Sequence, residues 1–213
     1  MNSSWLRAGL SVALSLPGLA GAEAVIGLAK RLDSGTFLYR EIHQCQPLKK
    51  TCHIRYENSE GSIFAEKKLD YAESAYAPSV WFEDKRKGYT VEVGPHTSDA
   101  AVIDAGFDNF VRSSWEELVR GEQMEFSFLP ADSKRALLMT AVADATVVCA
   151  IDQLCVRVEG KSWFVGLFLD PILLAYDRAG RQLLSYRGVS NIRDEEGVLQ
   201  NVLISYEYRQ DVQ

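Results

Sequence analysis

"DAGFDNFVRSSWEEL", residues Asp104–Leu118, is the one stretch of the chain with a clear helical period. Phe107, Phe110, Val111, Trp115, Leu118 and, just beyond the quotation, Val119 recur at i, i+3, i+4 spacing as one apolar stripe. Asn109, Arg112, Ser113, Glu116, Glu117 and Arg120 fall on the opposite side, where Arg112 with Glu116 and Glu116 with Arg120 are i,i+4 pairs of opposite charge. Gly121 supplies a natural stop. The spacing predicts one helix over Asp108–Arg120. Two aspartates, Asp104 and Asp108, stand at its start. A carboxylate pair would suit acid–base chemistry, but free N–H groups and the dipole at a helix start favour acidic side chains without any catalysis. Both are read as caps.

Around this helix the sequence alternates with period two. "TFLYREIH", "HIRYEN", "SIFAEKKLDY", "SVWFED" and "YTVEVG" are separated by short Gly, Ser and Asp turns, the pattern of hairpins. "QMEFSF" puts Met124, Phe126 and Phe128 on one face. In the last strand Val198, Val202, Ile204, Tyr206 and Tyr208 share one side, with Gln200 the exception. One covered and one wetted face is what antiparallel sheets allow. The run Ser162–Asp177 is broken by Pro171, so a strand is expected after the proline. About ten or eleven strand candidates and one helix predict a mainly β fold with α: a curved antiparallel sheet or incomplete β-barrel wrapped on one amphipathic helix.

The chain starts like an exported protein. Arg7 precedes the apolar run Ala8–Ala20, and "AGA" at Ala20–Ala22 offers a cleavage site. Residues 1–22 are read as a signal peptide and 23–213 as a single β-rich domain. The apolar run is short and contains Pro17, so no transmembrane anchor is expected after cleavage. Four cysteines form two close pairs, Cys45 with Cys52 and Cys149 with Cys155. In an oxidising compartment, periplasmic or extracellular, such pairs read as two local disulfides. The net charge of −6 and scattered basic residues argue against a nucleic-acid partner.

The remaining chemical candidates are weak. His43 and His53 flank the first cysteine pair, but neighbouring strand positions point to opposite faces, which disfavours a metal site. His96 lies in "GPHTSD" without a nucleophile elbow, and there is no phosphate loop or dinucleotide fingerprint, so neither enzyme activity nor a cofactor is indicated. A small outer-membrane barrel is disfavoured by the charge of strands such as "KKLDY". The aromatic residues Tyr39, Phe64, Trp81, Trp115, Phe126, Phe128 and Trp163 would line an apolar pocket between sheet and helix, or else pack as a filled core.

The order of strands, one amphipathic helix and further strands, ending in "LDPILLAYDRAGRQLLSYRGVSNIRDEEGVLQNVLISYEY" (Leu169–Tyr208), resembles the superfamily of the lipoprotein-localisation factors LolA and LolB. It is also similar to exported proteobacterial proteins without an assigned role. The first resemblance implies an incomplete barrel closed by helices over a cavity for acyl chains. The expected function is therefore a periplasmic, non-catalytic carrier of a lipid or other apolar molecule. The alternative is a structural or interaction module of the envelope with a filled core and no small-molecule ligand, meeting a protein partner through its acidic surface.

Overall fold

A computed structural model describes residues 23–96, 99–144, 149–161 and 170–210. The expected signal segment and Trp163 lie outside the described residues. Among the described residues, thirteen strands join in one open, curved sheet. The first half is a meander: β1 (Glu23–Arg31), β2 (Phe37–Gln46), β3 (Thr51–Glu57), β4 (Ile63–Asp70), β5 (Ser79–Asp84) and β6 (Tyr89–Val93). The chain then crosses to the far edge, where β7 (Val102–Ile103) precedes the helices α1 (Gly106–Ser113) and α2 (Trp115–Val119). A second meander returns through β8 (Met124–Leu129), β9 (Leu137–Ala143), β10 (Gln153–Gly160), β11 (Ile172–Asp177), β12 (Leu183–Arg193) and β13 (Leu199–Gln210). The halves meet at the middle of the sheet, where β1 pairs antiparallel with β13 from Glu23↔Gln210 to Arg31↔Val202. Among the described residues only the β7–β8 pairing is parallel.

This order forces curvature. Thirteen flat strands would hold their two edges roughly 58 Å apart at normal strand spacing. The connection from Val93 to Val102 spans at most about 30 Å when fully extended. The sheet therefore curls until its edges approach. β7 sits in the remaining gap: Ile103 N–H donates to Tyr76 O, 2.9 Å, before β5, and Asp104 N–H to Leu129 O, 3.0 Å, at the end of β8.

Register sets what faces inward. One cross-strand row carries Val91, Phe82, Lys67, Ile54, His43, Val25 and Tyr208. The next carries Asp84, Ala65, Tyr56, Glu41, Gly27 and Tyr206. Ala29 and Gly27 leave room in the central strand. A Cβ at Gly27 would stand 2.8 Å from Tyr206 Cε1 and 3.1 Å from Glu41 Oε2.

The helices cover the inner face of β8–β11. Phe107 and Phe110 stack against Phe126 at centroid distances of 5.7 and 4.6 Å, and Trp115 meets Tyr176 edge-on at 5.9 Å. Val111, Trp115 and Leu118 are buried, as the stripe predicts, whereas Val119 is exposed. Three details differ from expectation. The helix is interrupted at Ser114, beside Ser113, whose hydroxyl donates back to Phe110 O, a local competitor that bends helices. With the axis broken, Arg112 pairs with Asp108, Glu116 with Arg181, and Arg120 with Glu117 and Glu122 in place of the two expected pairs. The aspartates are not side-chain caps either: Ala105 occupies the N-cap position, with no side-chain cap bond. The far end matches its signal. Gly121, at φ +81°, lets Glu122 N–H reach Glu117 O and its own N–H reach Leu118 O, a Schellman closure.

Both expected disulfides form, Cys45–Cys52 between directly opposed residues of β2 and β3, and Cys149–Cys155 at the start of β10.

Candidate functional site

Two places concentrate polar chemistry, one inside the curved sheet and one outside it. Inside, Glu41 on β2 is buried at the centre of a group of tyrosines. His43 Nε2 lies 3.0 Å from its Oε2, and Tyr206 OH donates to the same oxygen at 3.3 Å. The Tyr39 and Ser190 hydroxyls share a hydrogen bond of 2.6 Å, and Tyr186 OH donates to Val189 O at 2.6 Å. Burial foremost, and then the negative charge of Glu41, pushes the phenols of Tyr39, Tyr56, Tyr186 and Tyr206 well above their usual range.

A few residues away the expected cap Asp104 takes up a different role. Its Oδ1 accepts from Lys67 Nζ at 2.6 Å and from Ala105 N–H at 2.7 Å. The two side chains of this ion pair are only 5% and 8% exposed. Asp108 accepts from Tyr176 OH at 3.1 Å and pairs with Arg112 at 2.7 Å. Burial raises the Asp108 carboxyl above its ordinary value, against the opposing pull of Arg112 and of the Tyr176 hydroxyl. Glu41, Asp104 and Asp108 thus each have their donors. Saturated buried groups of this kind fix a unique packing.

The aromatic residues expected to line a pocket divide three ways. Tyr39 and Phe64 pack with each other and with Tyr56 inside the first half, at centroid distances of 5.9 to 6.5 Å. Phe126, Phe128 and Trp115 pack with the helices and Tyr176 inside the second half. Trp81 corrects the expectation: it lies on the outer face of β5. His43 is likewise not at the surface but turned inward beside Tyr206, while His53 faces out and meets Glu66 at 3.0 Å.

Around Trp81 the outer face of β2–β6 forms a groove of about 770 Å³. One register row supplies Gln44, His53, Lys68, Trp81 and Glu92. The adjacent row supplies Gln46, Thr51, Asp70 and Ser79. The Lys68 ammonium rests over the indole, 4.5 Å from the ring centroid. At an exposed position such a contact is worth only about 0.5–1 kcal/mol, so the long lysine is easily displaced. Next to the groove, Lys85 foremost, with His53 also contributing, holds the Glu66 carboxyl below its usual value. A smaller concavity of about 440 Å³ lies on the outer face of the other half, around Arg157 and Arg187.

The groove was hidden from sequence reading because it requires the registers of four hairpins at once. Its one available signal was a tryptophan followed closely by the charged turn "EDKRKG" within polar alternation. No family model matches the chain, and neither the curated proteins nor the solved structures contain a match. The functional reading therefore stands on this geometry.

Proposed function

We propose that the chain is an exported, non-catalytic envelope module that binds its ligand through the outer groove of β2–β6. The observation that carries this reading is the division of roles between the two faces. The inner aromatic residues touch one another and the buried polar groups satisfy one another, whereas the outer face presents a concavity with polar side chains around an indole. A size of about 770 Å³ falls within the ~300–1,000 Å³ typical of small-ligand sites. The two disulfides support an oxidising compartment, consistent with the apolar leader-like sequence at residues 8–20. No helix among the described residues is long and apolar enough to cross a membrane.

The carrier reading suggested by the LolA and LolB resemblance needs room for acyl chains between sheet and helices. The contacts of Phe107 and Phe110 with Phe126 support a filled interior instead.

The test is co-sedimentation of the purified, oxidised protein with the insoluble envelope fraction of the producing cell. The wild type should be depleted from solution, and so should the inner-face variant Phe126→Leu. A Gln44→Ala/Trp81→Ala variant should stay in solution. Equal depletion of the groove variant, or no depletion of the wild type, would reject the reading.

A further inference from the structure

We infer that the groove takes a neutral oligosaccharide, its sugar ring stacked on Trp81; this rests on the groove being the binding site. The lining excludes other ligand classes one by one. Cys52, Leu69, Val80 and Val93 also line the groove but are buried, so Trp81 is the large apolar side chain it presents to solvent, which suits a flat apolar patch on a polar molecule more than an acyl chain. Charge is mixed along the groove: Lys68, Asp70 and Glu92 all line it, while His53 is held by Glu66. A polyanion would meet two carboxylates, and a polycation would meet the ammonium that already covers the indole.

Donors and acceptors alternate along the two rows. Gln44 and Gln46 offer amides that both donate and accept, Lys68 donates, and Asp70 and Glu92 accept. Hydroxyl groups, which do both, match such a mixed lining better than any group that does one. A pyranose combines equatorial hydroxyls at its rim with a face of C–H bonds. Those C–H hydrogens carry partial positive charge, and the electron-rich face of an indole attracts them as it attracts the Lys68 ammonium. The groove lies across five strands, β2 to β6, and is open along its length, so it suits a chain of sugars more than one enclosed ring.

Isothermal titration calorimetry on the full oxidised protein tests this with three probes: maltohexaose, cellohexaose and the hexamer of N-acetylglucosamine. At least one should bind, with an affinity insensitive to salt. Trp81→Ala should weaken it about tenfold or more, a loss of about 1.4 kcal/mol. Trp81→Phe, which keeps an aromatic face, should retain most of the affinity, and Gln44→Ala should lose part of it. Circular dichroism and unchanged thermal midpoints confirm that the variants fold, as expected for outer-face positions. No heat with any of the three at millimolar concentration overturns the sugar assignment, as does binding that survives Trp81→Ala. The de-acetylated, cationic glucosamine hexamer is titrated as a control, and binding confined to it and lost at high salt also overturns the assignment, in favour of a cation site on the indole. Groove-dependent co-sedimentation that no hexamer competes away would reject the sugar and leave the groove as the binding site. Sedimentation that ignores the groove rejects both.

Discussion

Lys67 and Asp104 meet across 37 residues of chain, inside the protein, and their pairing decides how α1 begins. A charged pair taken out of water repays its desolvation only through close geometry and further hydrogen bonds. Asp104 achieves this at φ +43°, a left-handed conformation that aspartate and asparagine tolerate better than bulky residues. Lys67→Ala strands the carboxylate and should destabilise the protein by about 3–5 kcal/mol in urea unfolding. The double variant Lys67→Met/Asp104→Asn, which removes both charges and keeps the backbone tolerance, should recover part of that loss. If the double variant is as unstable as the single one, the cost lies in packing and not in charge.

The tyrosines around Glu41 make a second residue-scale prediction. Of nine tyrosines in the chain, Tyr39, Tyr56, Tyr71, Tyr176, Tyr186 and Tyr206 hold their protons more tightly when folded, chiefly because burial disfavours the phenolate. A folded-state pKa above the unfolded value means that stability is unaffected below about pH 10 and falls as pH rises past it, by up to about 1.4 kcal/mol per pH unit for each phenol. Phenolate absorbance should therefore show these six ionising together in a cooperative step that coincides with loss of β-sheet circular dichroism. A single smooth titration of all nine would contradict the burial of these side chains.

At the scale of elements, the helices are placed by one glycine. A Cβ at Gly106 would lie 2.0 Å from the Tyr76 carbonyl oxygen and 2.8 Å from Pro78 Cδ. The backbone of α1 rests directly on the segment before β5, so the clash cannot be relieved by a side-chain rotation. Gly106→Ala should cost at least about 2 kcal/mol, more than the few tenths expected for a surface change. The Gly121 stop, by contrast, was legible because its reason is local: a left-handed residue closes the last turn. The interruption at Ser114 and the partners of Arg112 and Glu116 were not, because they depend on which way the broken axis points and on Arg181 from a strand connection far along the chain. The cysteine pairs were legible for the same local reason as Gly121. Closing such short loops contributes about 2.5 kcal/mol each in the chain-entropy account.

Seen as a whole, the sheet is a meander cut in the wrong place. Reading outward from β7 to β13 and then from β1 to β6 gives the spatial order without a jump, and the described ends Glu23 and Gln210 are partners in the central ladder. A circular permutant that joins these ends with a short linker and opens the chain between β6 and β7 would make the β1–β13 seam local. Folding speed follows the locality of contacts, so this permutant should refold faster than the natural order in stopped-flow experiments, with both disulfides intact. Slower refolding, or a molten product, would show that the β6–β7 connection is needed to curl the sheet. The filled interior makes a prediction at the same scale. Native mass spectrometry should find the bare mass, and a lipid-sized adduct removed by organic solvent would revive the carrier reading.

What the sequence determined by itself was whatever depends on neighbours along the chain. The alternation of strands, the apolar stripe from Phe107 to Leu118, the Gly121 stop and the two short cysteine loops all follow from local backbone geometry and periodicity. The tertiary structure decided what depends on register and curvature. β1 carries Gly27 and Ala29 where a strand would be expected to show large residues, because Tyr206 and Glu41 need that space from neighbouring strands. Trp81 faces out and Glu41 faces in for the same reason. Alternation says that successive residues point to opposite sides, but only the pairing of the whole sheet says which side becomes the interior.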